Sequence, residues 1–97
     1  MNNFILDSDG NPVEEADVTK WADWFKSANR VIRKDCVGKA LVSTVFLGVD
    51  HSFGLGGPPL LYETMIFGVP GMESYLERYA TRDEALAGHD VALAKLA

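Results

Sequence analysis

Four titratable residues lie in apolar surroundings and could do chemistry: Asp50, His51, Glu63 and His89. A carboxylate among apolar side chains has a raised pKa unless a charged or hydrogen-bonding group meets it, and a histidine is a natural partner. A Glu–His or Asp–His pair could act as a general base, and the four residues together could bind a small ligand or a metal ion. They could equally be polar pairs that close the core, with Asp50 capping the loop that follows it.

The surrounding sequence has none of the spacings that catalytic and metal-binding motifs use. It contains no HExxH and no CxxC, it has no Asp-His-Ser order that supports catalysis, and its glycine-rich stretch GLGGPP lacks the lysine of a phosphate-binding loop. We therefore predict no catalytic residue, no metal ion and no cofactor, and we interpret the four residues as structural. A ligand site formed by the same residues is the alternative.

Length and composition indicate one cytoplasmic domain that spans residues 1–97. The chain has 97 residues, of which 47% are hydrophobic and 24% charged, and this is ordinary for a globular protein. No apolar run approaches the roughly 20 residues of a membrane helix, so no membrane association is expected. The single cysteine, Cys36, cannot form an internal disulfide, which fits a reducing cytoplasm.

Two apolar runs predict the centre of a sheet. Residues 41–48 and 60–67 are rich in β-branched and aromatic residues, and Glu63 is their only charged residue. A strand without a polar face belongs inside a sheet rather than at its edge. Residues 31–37 precede Gly38-Lys39, and a glycine there suits a tight hairpin turn. This run should therefore pair antiparallel with residues 41–48.

A first amphipathic helix of three to four turns is predicted after residue 14. Its apolar stripe consists of Val18, Trp21, Trp24, Phe25 and Ala28. Glu14, Glu15 and Asp17 would then stand near its N-terminus, where the helix dipole favours acids.

A second helix is predicted to begin at the capping box formed by Thr81 and Glu84 and to run toward Leu96. His89 lies on its apolar stripe. Gly88 weakens a helix interior, so its presence suggests that another backbone passes close by.

Together these elements predict an α+β domain in the order β-α-β-β-β-β-α. A mostly antiparallel sheet of four to five strands should carry both helices on one face, because each helix must bury its stripe. The opposite face is still partly apolar, and a homodimer would bury it. The loop at residues 51–59 is longer than a simple hairpin connection, so it is either a crossover between strands or a binding feature.

The net charge of −5 is unevenly distributed. Residues 1–17 contain five acids and no base: Asp7, Asp9, Glu14, Glu15 and Asp17. Phosphate contacts need a positive surface, so direct nucleic-acid binding is not expected. The acid-rich N-terminal segment is instead our candidate contact for a basic partner.

Three segments of the chain form a specific motif. Residues 43–51 read STVFLGVDH, residues 57–68 read GPPLLYETMIFG and residues 78–89 read RYATRDEALAGH. They resemble a family of small bacteriophage and prophage proteins whose usual form is STVFLGLDH, GPPLLFETMVFG and RYSTWDEAEAGH. The departures are mild, such as Val49 for leucine and Arg82 for tryptophan. The family has no established enzymatic activity, so the resemblance carries over no catalytic residue.

The resemblance implies an accessory protein of a phage or mobile element that acts in the host cytoplasm. Small acidic proteins of this origin often bind host machinery, and anti-CRISPR proteins are prominent among them. The implied function is non-enzymatic binding to a host protein complex, such as a CRISPR effector, through occupation of a basic surface. One alternative is a small-ligand or nucleotide-binding protein, with or without catalysis, that uses the 50–59 loop with Glu63 and His89. A second alternative is a minor structural phage protein.

Overall fold

The fold is an α+β arrangement with both helices on one face of an antiparallel sheet, which confirms the predicted class. The structure is a computed structural model that describes residues 2–53 and 56–97, so Gly54 and Leu55 of the predicted loop lie outside the described residues. In chain order the elements are β1 (Phe4–Leu6), β2 (Pro12–Glu14), α1 (Val18–Ser27), β3 (Val31–Val37), β4 (Ala40–Phe46), β5 (Tyr62–Phe67), β6 (Leu76–Tyr79) and α2 (Arg82–Ala94). Strands β3 to β6 pair in sequence order, so β4 and β5 occupy the centre as predicted.

Strands β1 and β2 form a separate hairpin that adds one strand to the predicted order. Its turn is held by Asp7, whose Oδ1 accepts the backbone N–H groups of Asp9 and Asn11 at 2.9 Å each. The hairpin attaches to the chain after β4, because the N–H of Phe4 donates to the carbonyl of Gly48 at 2.8 Å. Three-residue strands are too short to show a clear period in the sequence.

Helix α1 begins at Val18, later than the predicted start directly after residue 14. Glu14 belongs to β2, and Asp17 is the N-cap, whose carboxylate accepts the N–H groups of Thr19 and Lys20 at 2.9 and 3.2 Å. A capping side chain satisfies N–H groups that have no partner within the helix, so it fixes where the helix starts.

The core lies between the two helices and one face of the sheet. The buried side chains of β4 and β5 on this inner face are Ala40, Val42, Thr44, Phe46, Tyr62, Thr64 and Ile66. Ala85, His89 and Ala92 cover them from α2. Trp24 of α1 packs edge-on against Phe46, with the ring centroids 5.9 Å apart.

Helix α2 starts at the predicted capping box. The N–H of Glu84 donates to the Thr81 hydroxyl at 3.1 Å, and the N–H of Thr81 donates to the Glu84 carboxylate at 3.2 Å. The expectation of a backbone beside Gly88 is wrong. The space that a side chain would occupy there is filled by the ring of Tyr79, so it is a side chain of β6 that requires the glycine. Within the described residues, neither helix has the length and apolar character needed to cross a bilayer.

The opposite face of the sheet is not covered by either helix, and we call it the open face. Its apolar side chains are Val31, Leu41, Val45, Met65, Phe67 and Leu76. Strand alternation places them opposite the inner-face residues. A register shift between Val31 and Arg33 keeps Val31 on this side, while Ile32 packs against the core and Arg33 reaches α2.

Candidate functional site

Asp50 closes the base of the loop that follows β4. Its Oδ1 accepts the backbone N–H groups of Ser52 at 2.8 Å and Leu60 at 3.0 Å, and its Oδ2 accepts the Ser52 hydroxyl at 3.0 Å. Across the same base, the N–H of His51 donates to the carbonyl of Leu60 at 3.0 Å. Asp50 therefore joins the two ends of the loop, which is the capping role that the sequence suggested.

His51 is tied to its own backbone. Its Nδ1 lies 2.8 Å from the carbonyl oxygen of Val49, so Nδ1 carries a proton and donates it. The ring packs edge-on against Phe53 with centroids 5.6 Å apart. Phe53 is 62% exposed, so the outer side of this pair faces solvent.

Glu63 lies on the open face, where it forms an ion pair with Arg78. The Nε of Arg78 is 3.0 Å from Glu63 Oε2, and the Glu63 side chain is only 12% exposed. The two residues are register partners on β5 and β6. An opposite-charge cross-strand pair of this kind gives the half-buried carboxylate the partner that it needs.

His89 lies on the other side of the sheet, at the centre of a buried chain of hydrogen bonds. Its Nε2 is 2.8 Å from Asp35 Oδ2 and its Nδ1 is 2.7 Å from Thr44 Oγ1, which in turn is 2.6 Å from Thr64 Oγ1. In the neutral ring, Nε2 donates to Asp35 and Nδ1 accepts the Thr44 hydroxyl proton. Thr44 Oγ1 can then accept the proton of Thr64, so every donor in the chain has an acceptor.

The order Asp35–His89–Thr44 resembles the acid, histidine and hydroxyl of nucleophilic hydrolases, but its geometry is closed. Thr44, Thr64 and His89 are all 0% exposed, so no substrate can reach either hydroxyl. Only Asp35 reaches the surface, where Arg33 lies 2.9 Å from its Oδ2 and also bonds Asp90 at 2.6 Å. The arrangement attaches α2 to β3, β4 and β5.

The four sequence-selected residues are not brought together. Glu63 and His89 lie on opposite faces of the sheet, because the register partner of Glu63 is Val45 and His89 bonds the neighbouring Thr44. Glu63 therefore pairs with arginine rather than with a histidine. Among residues 2–53 and 56–97, no group of three or more His, Cys, Asp or Glu side chains could hold a metal ion.

Three surface cavities lie away from these residues. Two of about 400 and 380 Å³ flank Gly68-Val69-Pro70, and one of about 300 Å³ lies between the β1–β2 turn and the start of α2. None of the three is lined by Asp50, His51, Glu63 or His89. The geometry gives a shared ligand site for these four residues no support.

Sequence reasoning missed Asp35, Thr44 and Thr64 as the partners of His89. Asp35 is 54 positions away in the chain, so no local spacing connects it with the histidine. The available signal was weak. Thr44 and Thr64 interrupt the otherwise apolar inner faces of β4 and β5, and buried hydroxyls require hydrogen-bonding partners.

The five N-terminal acids lie on the β1–β2 hairpin and at its junction with α1. Their exposed members are Asp7, Asp9, Glu14 and Asp17, and Glu15 is half-buried. None of the five forms an ion pair with another residue in the described ranges 2–53 and 56–97. Among the described residues these acids therefore have no cationic side chain within ion-pair distance.

Two of the four basic residues in and beside β3, Arg30 and Arg33, bond groups within the fold. The guanidinium of Arg30 lies 4.0 Å from the centroid of the Phe25 ring and donates to the carbonyl of Phe46 at 3.0 Å. Arg33 pairs with Asp35 and Asp90. Lys34 and Lys39 are exposed and form no ion pair among the described residues.

The structural carboxylates predict an acid-sensitive stability. The pKa of Asp50 is lowered mainly because it accepts the N–H of Ser52, and that of Asp35 mainly because it bonds His89. A carboxyl group whose pKa is lower in the folded chain than in the unfolded chain stabilises the fold. The full stabilisation is present at pH values above the pKa of the unfolded chain, which is about 3.9 for Asp. This stabilisation is lost as the pH falls through the lowered folded value.

We expect Asp50→Asn to reduce the free energy of unfolding near neutral pH, and the difference from the parent chain to shrink below about pH 4. Urea unfolding at several pH values measures this difference. The control is Asp23→Asn, because Asp23 is exposed on α1, and its difference from the parent should not vary in this way. A loss in Asp50→Asn that is constant across the acid range would contradict the expectation.

Comparison with known proteins identifies no relative: no family model, no curated protein and no solved structure matches the chain.

Proposed function

We propose that this chain is a non-enzymatic accessory protein of a phage or mobile element that binds a host protein complex through its N-terminal acids. The observation that carries the proposal is the surface formed by the five acids, which have no ion-pair partner among the described residues. The sequence resemblance contributes the class of partner, and it makes an anti-defence inhibitor of the anti-CRISPR kind the specific form of the function.

The acids are held in a defined arrangement, which favours recognition. Asp7 organises the hairpin turn through two backbone bonds, and Asp17 caps α1. The indole of Trp21 donates to the carbonyls of Phe4 and Gly48 at 3.1 and 2.9 Å, and it thereby joins the helix to the hairpin and to the end of β4. Acids on a fixed scaffold lose little freedom on binding, so they can occupy a basic surface at a low entropic cost.

The positions of the titratable residues favour binding over catalysis. Asp50 bonds backbone groups, Glu63 pairs with Arg78, and His89 is sealed between the sheet and α2. Each of these side chains has a structural partner that accounts for its presence. The proposal includes the cytoplasm of the host cell as the site of action and a homodimer as the acting form.

The test is capture of host proteins by tagged chains that differ only in charge. The variant Asp7→Asn, Asp9→Asn, Glu14→Gln removes three acids of the hairpin, and asparagine at position 7 keeps an oxygen that can accept the turn hydrogen bonds. We expect about tenfold or greater loss of a specific basic partner, because the opposed charges steer and hold the complex. Association of the parent chain should also weaken as salt rises.

A charge-matched control separates this contact from general acidity. The control variant Asp23→Asn, Glu73→Gln, Glu77→Gln changes the net charge by the same amount at exposed positions outside the hairpin. It should capture the partner as the parent does. The proposal fails if both variants lose the partner equally, or if the hairpin variant captures as well as the parent.

A further inference from the structure

The open face leaves large apolar side chains in contact with solvent. Phe67 is 46% exposed, Val31 45% and Leu76 40%, and they lie on three different strands of one continuous sheet. The face of a monomeric sheet that is exposed to water normally alternates to polar residues. In the strand register Leu41 pairs with Phe67 and Met65 pairs with Leu76, so these apolar side chains adjoin one another, and an apolar patch of this kind marks an interaction site.

We propose that the occupant of the open face is a second copy of this chain, packed sheet against sheet around a two-fold axis. The inference rests on the homodimer in the proposed function and names its surface. It does not depend on the acid-mediated host contact, which uses the hairpin.

Charge argues for a second copy on this face. The charged residues of the face are Lys34, Glu63 and Arg78, and their charges sum to +1. Because the net charge of the chain is −5, all other residues together carry −6. Two copies of an acidic chain repel one another over most of their surfaces. Contact through the nearly neutral open face buries apolar area and keeps the hairpin acids of the two copies in solvent.

The size of the face limits the area that a dimer contact can bury. Strands lie about 4.8 Å apart and residues on one side of a strand about 6.8 Å apart, so four strands with three rows form a face of roughly 20 by 20 Å. Two such faces remove on the order of 800 to 1,200 Å² from water, which is the lower end of specific interfaces. We therefore expect a dimer that forms in a concentration-dependent manner.

Sheets that pack face to face cross at about 30° or about 90°. We place the two-fold axis in the plane between the two sheets and let the strands of the two copies cross at about 90°. In this arrangement the positions set by the strand register bring Lys34 near Glu63 of the second copy. They also bring Phe67 against Leu76 of the second copy. Lys34 forms no ion pair within the described residues, and Glu63 uses only Oε2 in its bond to Arg78. Both groups can therefore form the intermolecular contact.

Sedimentation of the purified chain over about 1 μM to 1 mM tests the dimer, since contacts of this size dissociate in that range. The apparent mass should rise from 10.6 kDa toward twice that value.

Phe67→Lys with Leu76→Lys should weaken association by about tenfold or more, because each buries a charge in the contact. Val18→Lys with Val91→Lys is the matched control and should associate as the parent does. All four positions are 40% to 64% exposed, so both variants should fold.

Cys36 provides a second readout, because this exposed thiol lies on the open face as the register partner of Leu41. Its labelling by a maleimide should slow as the protein concentration rises in the parent, and not in the Phe67→Lys, Leu76→Lys variant.

Lys34→Glu should weaken association several-fold while Lys39→Glu, in the β3–β4 turn, should not. Equal effects of these two substitutions would overturn the crossing geometry.

The inference is overturned if the chain stays monomeric throughout with unchanged Cys36 reactivity. It is also overturned if the chain is monomeric and the Phe67→Lys, Leu76→Lys variant loses host capture, since the face would then bind a host protein. Dimer formation together with failed capture by the parent would instead reject the host contact alone.

Discussion

Replacing His89 with alanine should lower the free energy of unfolding by about 3 kcal/mol. The substitution removes a fully buried ring and leaves a cavity between α2 and the sheet. It also removes the acceptor of the Thr44 hydroxyl, so that Thr44 and Thr64 retain only each other as buried partners. For a chain of this size such a loss lowers the melting temperature by about 10 to 20 °C.

Thermal and urea unfolding measure this effect, and Val91→Ala is the control on the same helix. Val91 is 55% exposed, so its truncation should change the free energy of unfolding by no more than about 0.5 kcal/mol. Replacing Thr44 with valine should cost less stability in the His89→Ala background than in the parent chain, because the hydroxyl has already lost its histidine partner and bonds only Thr64. A small loss in His89→Ala, comparable to that of the control, would show that the hydrogen-bonded chain does not hold α2 in place.

Gly68→Ala should destabilise the fold by about 2 to 4 kcal/mol, for two additive reasons. Gly68 follows β5 with φ of +81°, in the left-handed region that a side chain disfavours. An added Cβ would also overlap the backbone carbonyl oxygen of Lys39 at the turn into β4. A backbone atom of the two-residue turn between the paired strands β3 and β4 cannot move aside as the end of a flexible side chain can, so this turn would have to open.

Gly71→Ala separates the two causes. Gly71 has φ of +89°, and an added Cβ would have no heavy atom within 4 Å. This variant should therefore lose only the conformational part, about 1 kcal/mol. Urea unfolding of the two variants side by side gives the comparison. Equal losses would mean that the contact with Lys39 is relieved at no cost and that only the backbone angle matters.

The sequence of local elements could be predicted to a large extent. The central position of β4 follows from residues 41–48, which have no polar face, and the start of α2 follows from the side chains of Thr81 and Glu84. The short connection through Gly38 and Lys39 makes β3 and β4 antiparallel neighbours. Each of these inferences depends on residues that are close together in the chain, where periodicity and capping act directly.

The short elements and their ends were less predictable. Strand β2 has three residues and is stabilised by pairing with β1, and the carboxylates of Asp7 and Asp17 determine the turn and the helix start. The apolar stripe predicts a helix after residue 14 with Glu14, Glu15 and Asp17 near its N-terminus, where the helix dipole favours acids. In the structure Glu14 instead pairs with Phe4 in the β1–β2 hairpin, so it lies before the helix.

The sequence by itself determined that His89 would face the core, that Glu63 would lie in a central strand and that acids would cluster before α1. Only the tertiary structure decided their partners: Asp35 for His89 and Arg78 for Glu63. The physical reason is that side-chain periodicity assigns a residue to a face, whereas the residue opposite it depends on strand register, on the bulge in β3 and on where α2 crosses the sheet. Strand register, the bulge and the position of α2 all depend on contacts between segments that are distant in the chain. The partners of His89 and Glu63 therefore could not be predicted from local spacing.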